Sequence, residues 1–323
     1  MLPESVKPEQ AHPFLLQFAI VDPDSEPSRQ SYIKFVEGKS PDEVRWWSKD
    51  TLAVVTGGNK GVGFETVRQL ANAGVATILT ARDESRGVAA VDKLKAQGLE
   101  NVLFHLLDVT DATSAAKLAS WIKEKFGGFD ILVNNAGISG IGLKPGYESA
   151  KLIVDTNYYG QKKVTSALLP LLRPSPGGAR IINVSSELGQ LHCLQKENVK
   201  QELNDLDHLT EEYVETLASK YLEDAKEGRD EEWTTGFGKE YQMAKILLNG
   251  YTRVLAKSLS TQPSDSKVYV NVMTPGLTST DINGFIPGGR TVENGADTSV
   301  WLALFPSGGP HGKFLRDRAD YSF

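Results

Sequence analysis

The stretch Thr51–Gly63, TLAVVTGGNKGVG, decides how the rest of the chain is read. A short apolar run, LAVVT, meets a glycine-rich turn, and the turn opens into GFETVRQLANAG, where Phe64, Val67, Leu70 and Ala71 recur at helical spacing. The predicted order is strand, turn, helix. Glycine lets such a turn bend tightly and lets its backbone approach a pyrophosphate, while the helix N-terminus supplies N–H donors to the anion. Gly57, Gly61 and Gly63 have the spacing G-x-x-x-G-x-G. That spacing alone fits a purely structural turn equally well. Its place between a strand and a helix is what favours the phosphate reading.

Downstream, short β-branched runs alternate with helical ones: VATILT, DESRGVAAVDKLKAQG, NVLFHLL, DATSAAKLASWIKEKFGG and DILVNN. The rhythm resumes with a helix ending near LLPLLR, the strand ARIINVSS, a helix around Tyr241 and the strand KVYVNVMTPG. Such alternation predicts right-handed βαβ units. The fold class expected is α/β: a doubly wound, Rossmann-like parallel sheet of seven strands with helices on both faces, forming one domain over residues 50–323. Residues 1–49 carry six prolines and no lasting period, as in a loosely ordered N-terminal extension. A helical insert is expected at about 190–237. There Leu203, Leu206, Leu209, Tyr213 and Leu217 keep helical spacing within a strongly acidic segment.

Bulk composition narrows the partners. A chain of 323 residues with 40% hydrophobic content buries a sizeable core, and a formal charge of -6 offers no basic footprint for nucleic acid or an anionic membrane. The apolar run FLLQFAIV at Phe14–Val21 is too short to span a bilayer, and its acidic flanks argue against a targeting peptide. Cys193 is the single cysteine, so neither an internal disulfide nor a thiolate metal site can form; no metal is expected, and a reducing, cytoplasmic setting fits.

The end of the second strand bears on the cofactor. A carboxylate there would accept from a ribose 2′-hydroxyl, whereas cations accommodate a 2′-phosphate. The sequence reads ILTARDESRG: Ala81 stands at the carboxylate position, Arg82 follows, Arg86 lies one turn on, and Lys60 in the glycine turn is placed to close on the same phosphate. Three cations around one point favour NADP(H) over NAD. The competing reading leaves Arg82 and Arg86 as solvated residues paired with Asp83 and Glu84.

Tyr241 and Lys245 lie four residues apart on a predicted helix, so both side chains project from one face. Taken alone, the pair is ordinary helix-surface spacing. It occurs, however, in order with TGGNKGVG, NNAG at Asn134–Gly137, NYYG from Asn157, NVSS ending at Ser186, and Pro275–Gly276. This set resembles the short-chain dehydrogenase/reductase family over Thr51 to about Phe314. The insert, the WWSK lead-in and the ending PHGKFLRDR are similar to its single-domain carbonyl reductases of the menthone, neomenthol and salutaridine reductase type.

The resemblance implies an NADPH-dependent reduction of a small-molecule ketone or aldehyde. It implies Tyr241 as proton donor, Ser186 holding the carbonyl oxygen, Lys245 lowering the tyrosine pKa and bonding the nicotinamide ribose, and Asn157 holding a water. It further implies cofactor contacts from Gly57, Asn59, Gly61, Val62 and Gly63 at the turn and from Asp108 and Val109 beside the adenine. Asn135, Ala136 and Gly137 would run along the ribose, and Pro275, Gly276, Leu277 and Thr280 would lie near the nicotinamide amide. The insert implies a monomer, because in such reductases it covers the usual dimer face. Two alternatives stand beside this: a cofactor-binding sensor or scaffold without turnover, and an extended-type sugar-nucleotide epimerase or dehydratase. The latter shares Y-x-x-x-K but ordinarily has the turn TGxxGxxG and lacks NNAG. Phe64 departs from the aliphatic residue usual after the last glycine of the turn.

Overall fold

The structure, a computed structural model, describes residues 45–323 apart from 237, 264, 265 and 286. Most of the expected N-terminal extension, with the run Phe14–Val21, lies outside the described residues.

The central sheet has the strand order β3-β2-β1-β4-β5-β6-β7-β8. Its strands are β1 (Leu52–Val55), β2 (Ala76–Ala81), β3 (Val102–Leu106), β4 (Ile131–Asn134), β5 (Ala179–Val184), β6 (Val268–Met273), β7 (Phe314–Arg316) and β8 (Ala319–Tyr321). The first seven pair in parallel and β8 returns antiparallel on β7. Among the described residues the sheet therefore has eight strands, where seven were expected. The extra strand is three residues long and hangs on a turn in which Asp317 and Arg318 both take positive φ, 51° and 63°. Neither residue type announces such a turn as glycine would.

Both faces of the sheet are covered, which explains why β1 is apolar at every position: Leu52 and Val54 join one core cluster while Ala53 and Val55 join the other. On one side pack α1 (Gly61–Asn72), α2 (Glu84–Lys95) and α9 (Val292–Leu304). On the other side lie α3 (Ala112–Phe126), α4 (Tyr147–Val154), α5 (Gln161–Leu168) and α8 (Lys239–Leu259). A π-helical turn, Asp155–Gly160, joins α4 to α5. Phe64, on α1, lies under Lys93 of α2, whose ammonium sits 5.0 Å from the ring centroid.

The segment before α8 forms two helices, α6 (Glu197–Asn204) and α7 (Glu211–Lys226). Leu203, Leu209 and Leu217 are buried in the core cluster, but Leu206 is exposed in the turn between the helices, so the apolar stripe expected through it is interrupted. Lys162 of α5 pairs with Glu211 at 2.6 Å and with Glu215, and Lys257 of α8 donates to the carbonyls of Leu206 and Asp207 at 2.8 and 2.7 Å. The acidic helices are thereby tied to the body. At the N-terminal end of the sheet the buried Arg180 guanidinium lies between Trp46 and Tyr269, 5.0 and 4.3 Å from their ring centroids. Burial lowers its pKa to about 9.

Candidate active site

The chain order reverses between β1 and β4, and in open α/β sheets a ligand crevice forms outside the carboxyl ends of the strands at such a point. The glycine turn follows β1 there and NNAG follows β4. Thr56 joins them: its Oγ1 accepts from the backbone N–H groups of Asn135 and Ala136, each at 2.9 Å, while Asn135 Nδ2 donates to the Thr56 carbonyl at 2.9 Å. Gly57 has φ 62°, and a Cβ there would lie 3.0 Å from Ala136 Cα; one at Gly63 would collide with Asn135 Nδ2 and the Gly57 carbonyl. Asn59 and Lys60 complete the turn, and α1 begins at Gly61–Val62 with neither a side-chain cap nor an acidic residue in its first turn. Its leading N–H groups are left to an external anion, so the residues present suit a pyrophosphate.

At the end of β2, Arg82 and Arg86 are exposed. Arg86 lies 3.9 Å from Asp83, whose carboxylate caps α2 by accepting from the Arg86 N–H at 2.9 Å. Arg82 has no ion-pair partner among the described residues. Lys60, expected near the same phosphate, has its ammonium paired with Asp281, from the loop after β6. The Asp108 carboxylate turns back to accept from the Thr110 N–H and hydroxyl at 2.9 and 2.7 Å, and Val109 packs against Gly160 of the π turn.

The structure brings Ser186, Tyr241, Lys245 and Asn157 to the same end of the sheet. Ser186 stands just past β5, where its Oγ accepts from the Leu188 N–H at 3.2 Å and its hydroxyl favours the Tyr241 phenolate. Lys245, 3% exposed, donates from Nζ to the Val184 carbonyl at 2.8 Å and lies 5.5 Å from the Tyr241 ring centroid. Asn157 sits in the π turn, where its Oδ1 accepts from the Ile138 N–H at 2.8 Å and its Nδ2 donates to the Ile138 carbonyl at 2.7 Å. A Cβ on Gly137 would lie 3.0 Å from Asn157 Oδ1 and 3.8 Å from Lys245 Nζ, so both side chains approach that glycine. Burial pushes the Tyr241 pKa up to about 12 against the lowering influence of Ser186, and burial pushes Lys245 down to about 7. Lowering of the tyrosine by the lysine is thus not the dominant effect in the protein alone, because the ammonium is turned toward a carbonyl oxygen and is itself desolvated.

Beyond β6, the segment Pro275–Thr280 folds over this end. Gly276 has φ 66°, and a Cβ there would touch the Arg290 guanidinium at 3.0 Å. Leu277 is exposed, while Thr280 and Asn283 cap each other around the short turn Asp281–Asn283. Ser139, after NNAG, donates to the Ile282 carbonyl, so this turn is held both by Ser139 and by Lys60. Thr56, Ser139 and Asp281 were not singled out from sequence. Thr56 lies inside the quoted glycine motif, whereas the other two carry no local signal.

The model of the short chain dehydrogenase family matches residues 51–197. The chain is 45% identical over 288 residues to short-chain dehydrogenase/reductase 1 of Saponaria officinalis, covering 81% of this chain and 92% of that protein. It is 38% identical over 278 residues to carbonyl reductase (NADPH) 1 of Bos taurus, covering 84% and 98%. The solved structure of salutaridine reductase from Papaver somniferum superposes with a TM-score of 0.75 at 41% identity, covering 82% of this chain and 99% of that one. With the glycine turn, the doubly wound sheet and the serine, tyrosine and lysine gathered at one end of it, the chain belongs to the short-chain dehydrogenase/reductase family of oxidoreductases.

Proposed function

We propose that the chain is an NADPH-dependent carbonyl reductase acting on a ketone or aldehyde. The observation that carries this reading is the gathering of Ser186, Tyr241 and Lys245 at the carboxyl end of β5, with the Lys245 ammonium bonded to the Val184 carbonyl at 2.8 Å and 5.5 Å from the tyrosine ring centroid, beside an uncapped helix N-terminus suited to a pyrophosphate. Similarity to a carbonyl reductase named for NADPH supports the choice of cofactor. The dinucleotide would be held by the turn Gly57–Gly63, by Arg82 and Arg86 at its 2′-phosphate, by Asp108 and Val109, by Asn135–Gly137, and by Pro275–Leu277 with Thr280. When bound, it supplies a hydride to the carbonyl carbon.

The protein's own part concerns the oxygen. Negative charge develops there, so donors must already point at it. A tyrosine with its pKa near about 12 carries its proton at neutral pH, and Tyr241 gives that proton to the oxygen while Ser186 donates a hydrogen bond to it. Lys245, near about 7, stands beside the ring to supply positive charge as the phenolate forms. Asn157 fixes Ile138 and with it the floor of the site. Ile141, Leu143, Leu188, Leu277 and Phe285 are exposed on the loops after β4, β5 and β6, which supports a substrate with an apolar body.

The inserted α7 packs over α4 and α8, which supports a monomer. Among the described residues no helix is long and apolar enough to cross a membrane. The lone buried Cys193 accords with a cytoplasmic setting.

The test is NADPH and NADH oxidation against a panel of cyclic ketones, quinones and aldehydes, with Tyr241→Phe run in parallel. Consumption that requires a carbonyl and disappears in the variant is the expected result. NADPH binding with no turnover across a broad panel would move the sensor reading forward.

A further inference from the structure

Tyr241, Lys245 and Asn249 occupy successive turns of α8 and share one face. The third faces the turn after β5. Lys245 donates to the Val184 carbonyl at 2.8 Å, and Asn249 Nδ2 donates to the Gly189 carbonyl, also at 2.8 Å. The two bonds bracket Ser186. Between them the Gly189 N–H donates to the Ser186 carbonyl at 2.9 Å, and the Leu188 N–H donates to Ser186 Oγ at 3.2 Å.

Both the backbone and the hydroxyl of Ser186 therefore depend on a short turn whose far end hangs from Asn249. Asn249 is 3% exposed, so water cannot readily replace its bond. The turn also sits flush on the helix: a Cβ on Gly189 would come within 2.9 Å of Asn249 Nδ2, 3.0 Å of Lys245 Cβ and 3.0 Å of Ser185 Oγ.

We infer that Asn249 is a positioning residue for the reaction: it fixes Ser186 relative to Tyr241 by holding the serine's turn to the helix that carries the tyrosine. The inference rests on Ser186 and Tyr241 acting on the carbonyl oxygen. Asparagine suits the position because its amide presents a donor to the Gly189 carbonyl; a carboxylate of the same shape presents only acceptors when ionised.

The experiment compares wild type, Asn249→Asp, Gly189→Ala and Tyr241→Phe in NADPH affinity, thermal midpoint, and kcat and KM for a ketone the wild type reduces. A displacement of about 1 Å costs on the order of a hundredfold in rate. Asn249→Asp is expected to lose about ten- to a hundredfold in kcat with NADPH affinity within about twofold of wild type, and Gly189→Ala, which pushes the turn off the helix from the other side, is expected to show the same split. If Asn249→Asp does not fold, Gly189→Ala decides alone. Unchanged kcat, or a fall in kcat matched by loss of NADPH affinity and thermal midpoint, overturns the inference while the reductase reading stands. Turnover that persists in Tyr241→Phe overturns both.

Discussion

Lys60 and Asp281, 221 positions apart in the chain, form an ion pair that joins the glycine turn to the loop after β6. Both side chains are substantially exposed, and exposed pairs contribute roughly 0–1 kcal/mol. The bond therefore adds little stability, but it occupies a cation expected at a phosphate. Asp281→Asn should leave the thermal midpoint nearly unchanged and tighten NADPH binding a few fold, measured by fluorescence titration. A weaker NADPH affinity would show that the pair holds the site together instead of competing for it.

Arg82, without an ion-pair partner among the described residues at the end of β2, is the side chain most available to a 2′-phosphate. Arg82→Asp should weaken NADPH binding and narrow the preference over NADH by about tenfold or more, since a charge-assisted hydrogen bond contributes about 1.5–3 kcal/mol. Parallel titrations with both nucleotides check this. Unchanged selectivity would place the phosphate elsewhere.

The lysine at the centre of the site gives a pH signature. Folded, Lys245 titrates near about 7, against an ordinary value of 10.5. Between those values the unfolded chain binds a proton that the folded chain does not, so this group's contribution to stability rises with pH. Below about pH 7 both states are protonated and the full cost of burying the ammonium remains. Relative to Lys245→Met, the wild type should gain thermal midpoint as pH is raised from 7 to about 9. A constant difference across that range would mean the folded amine keeps its charge.

Gly63 is held by contact, not by backbone angle. Its added methyl would meet Asn135 Nδ2 and the Gly57 carbonyl at once. Gly63→Ala should cost about 1–3 kcal/mol in denaturant unfolding, as overpacking does, and should weaken NADPH by disturbing both loops at the switch point. Full retention of both would show that the turn yields easily.

What the sequence made legible was whatever depends on local pattern. The alternation of short β-branched and helical runs already implied a parallel sheet covered on both faces, and the i, i+4 spacing of Tyr241 and Lys245 implied a shared helical face. What escaped it was long-range. Leu206 keeps helical spacing on paper, yet α6 ends at Asn204, where Arg253 of α8 takes the last helical carbonyls, of Leu203 and Asn204, and Lys257 takes those of Leu206 and Asp207 in the turn that follows. The eighth strand turns on two non-glycine residues with positive φ. The partner of Lys60 lies more than two hundred residues away, beyond any motif. Asn249 falls between: its place one turn below Lys245 was visible, but its acceptor, Gly189, becomes adjacent only when β5 meets α8.

The π turn that holds Asn157 carries a consequence of a different kind. A π turn contains one residue more than the α-helical path needs. Deleting any single residue between Asp155 and Gly160 would let α4 and α5 run on as one regular helix, an outcome that local energetics favour. The flanking helices would keep their facing, since the surplus residue is what the wide turn absorbs, but the widened turn that presents Asn157 would be gone. Ile138 would lose the amide that clamps it, although no residue of the site had been substituted. Along this segment the length of the chain is as much a component of the site as any side chain in it.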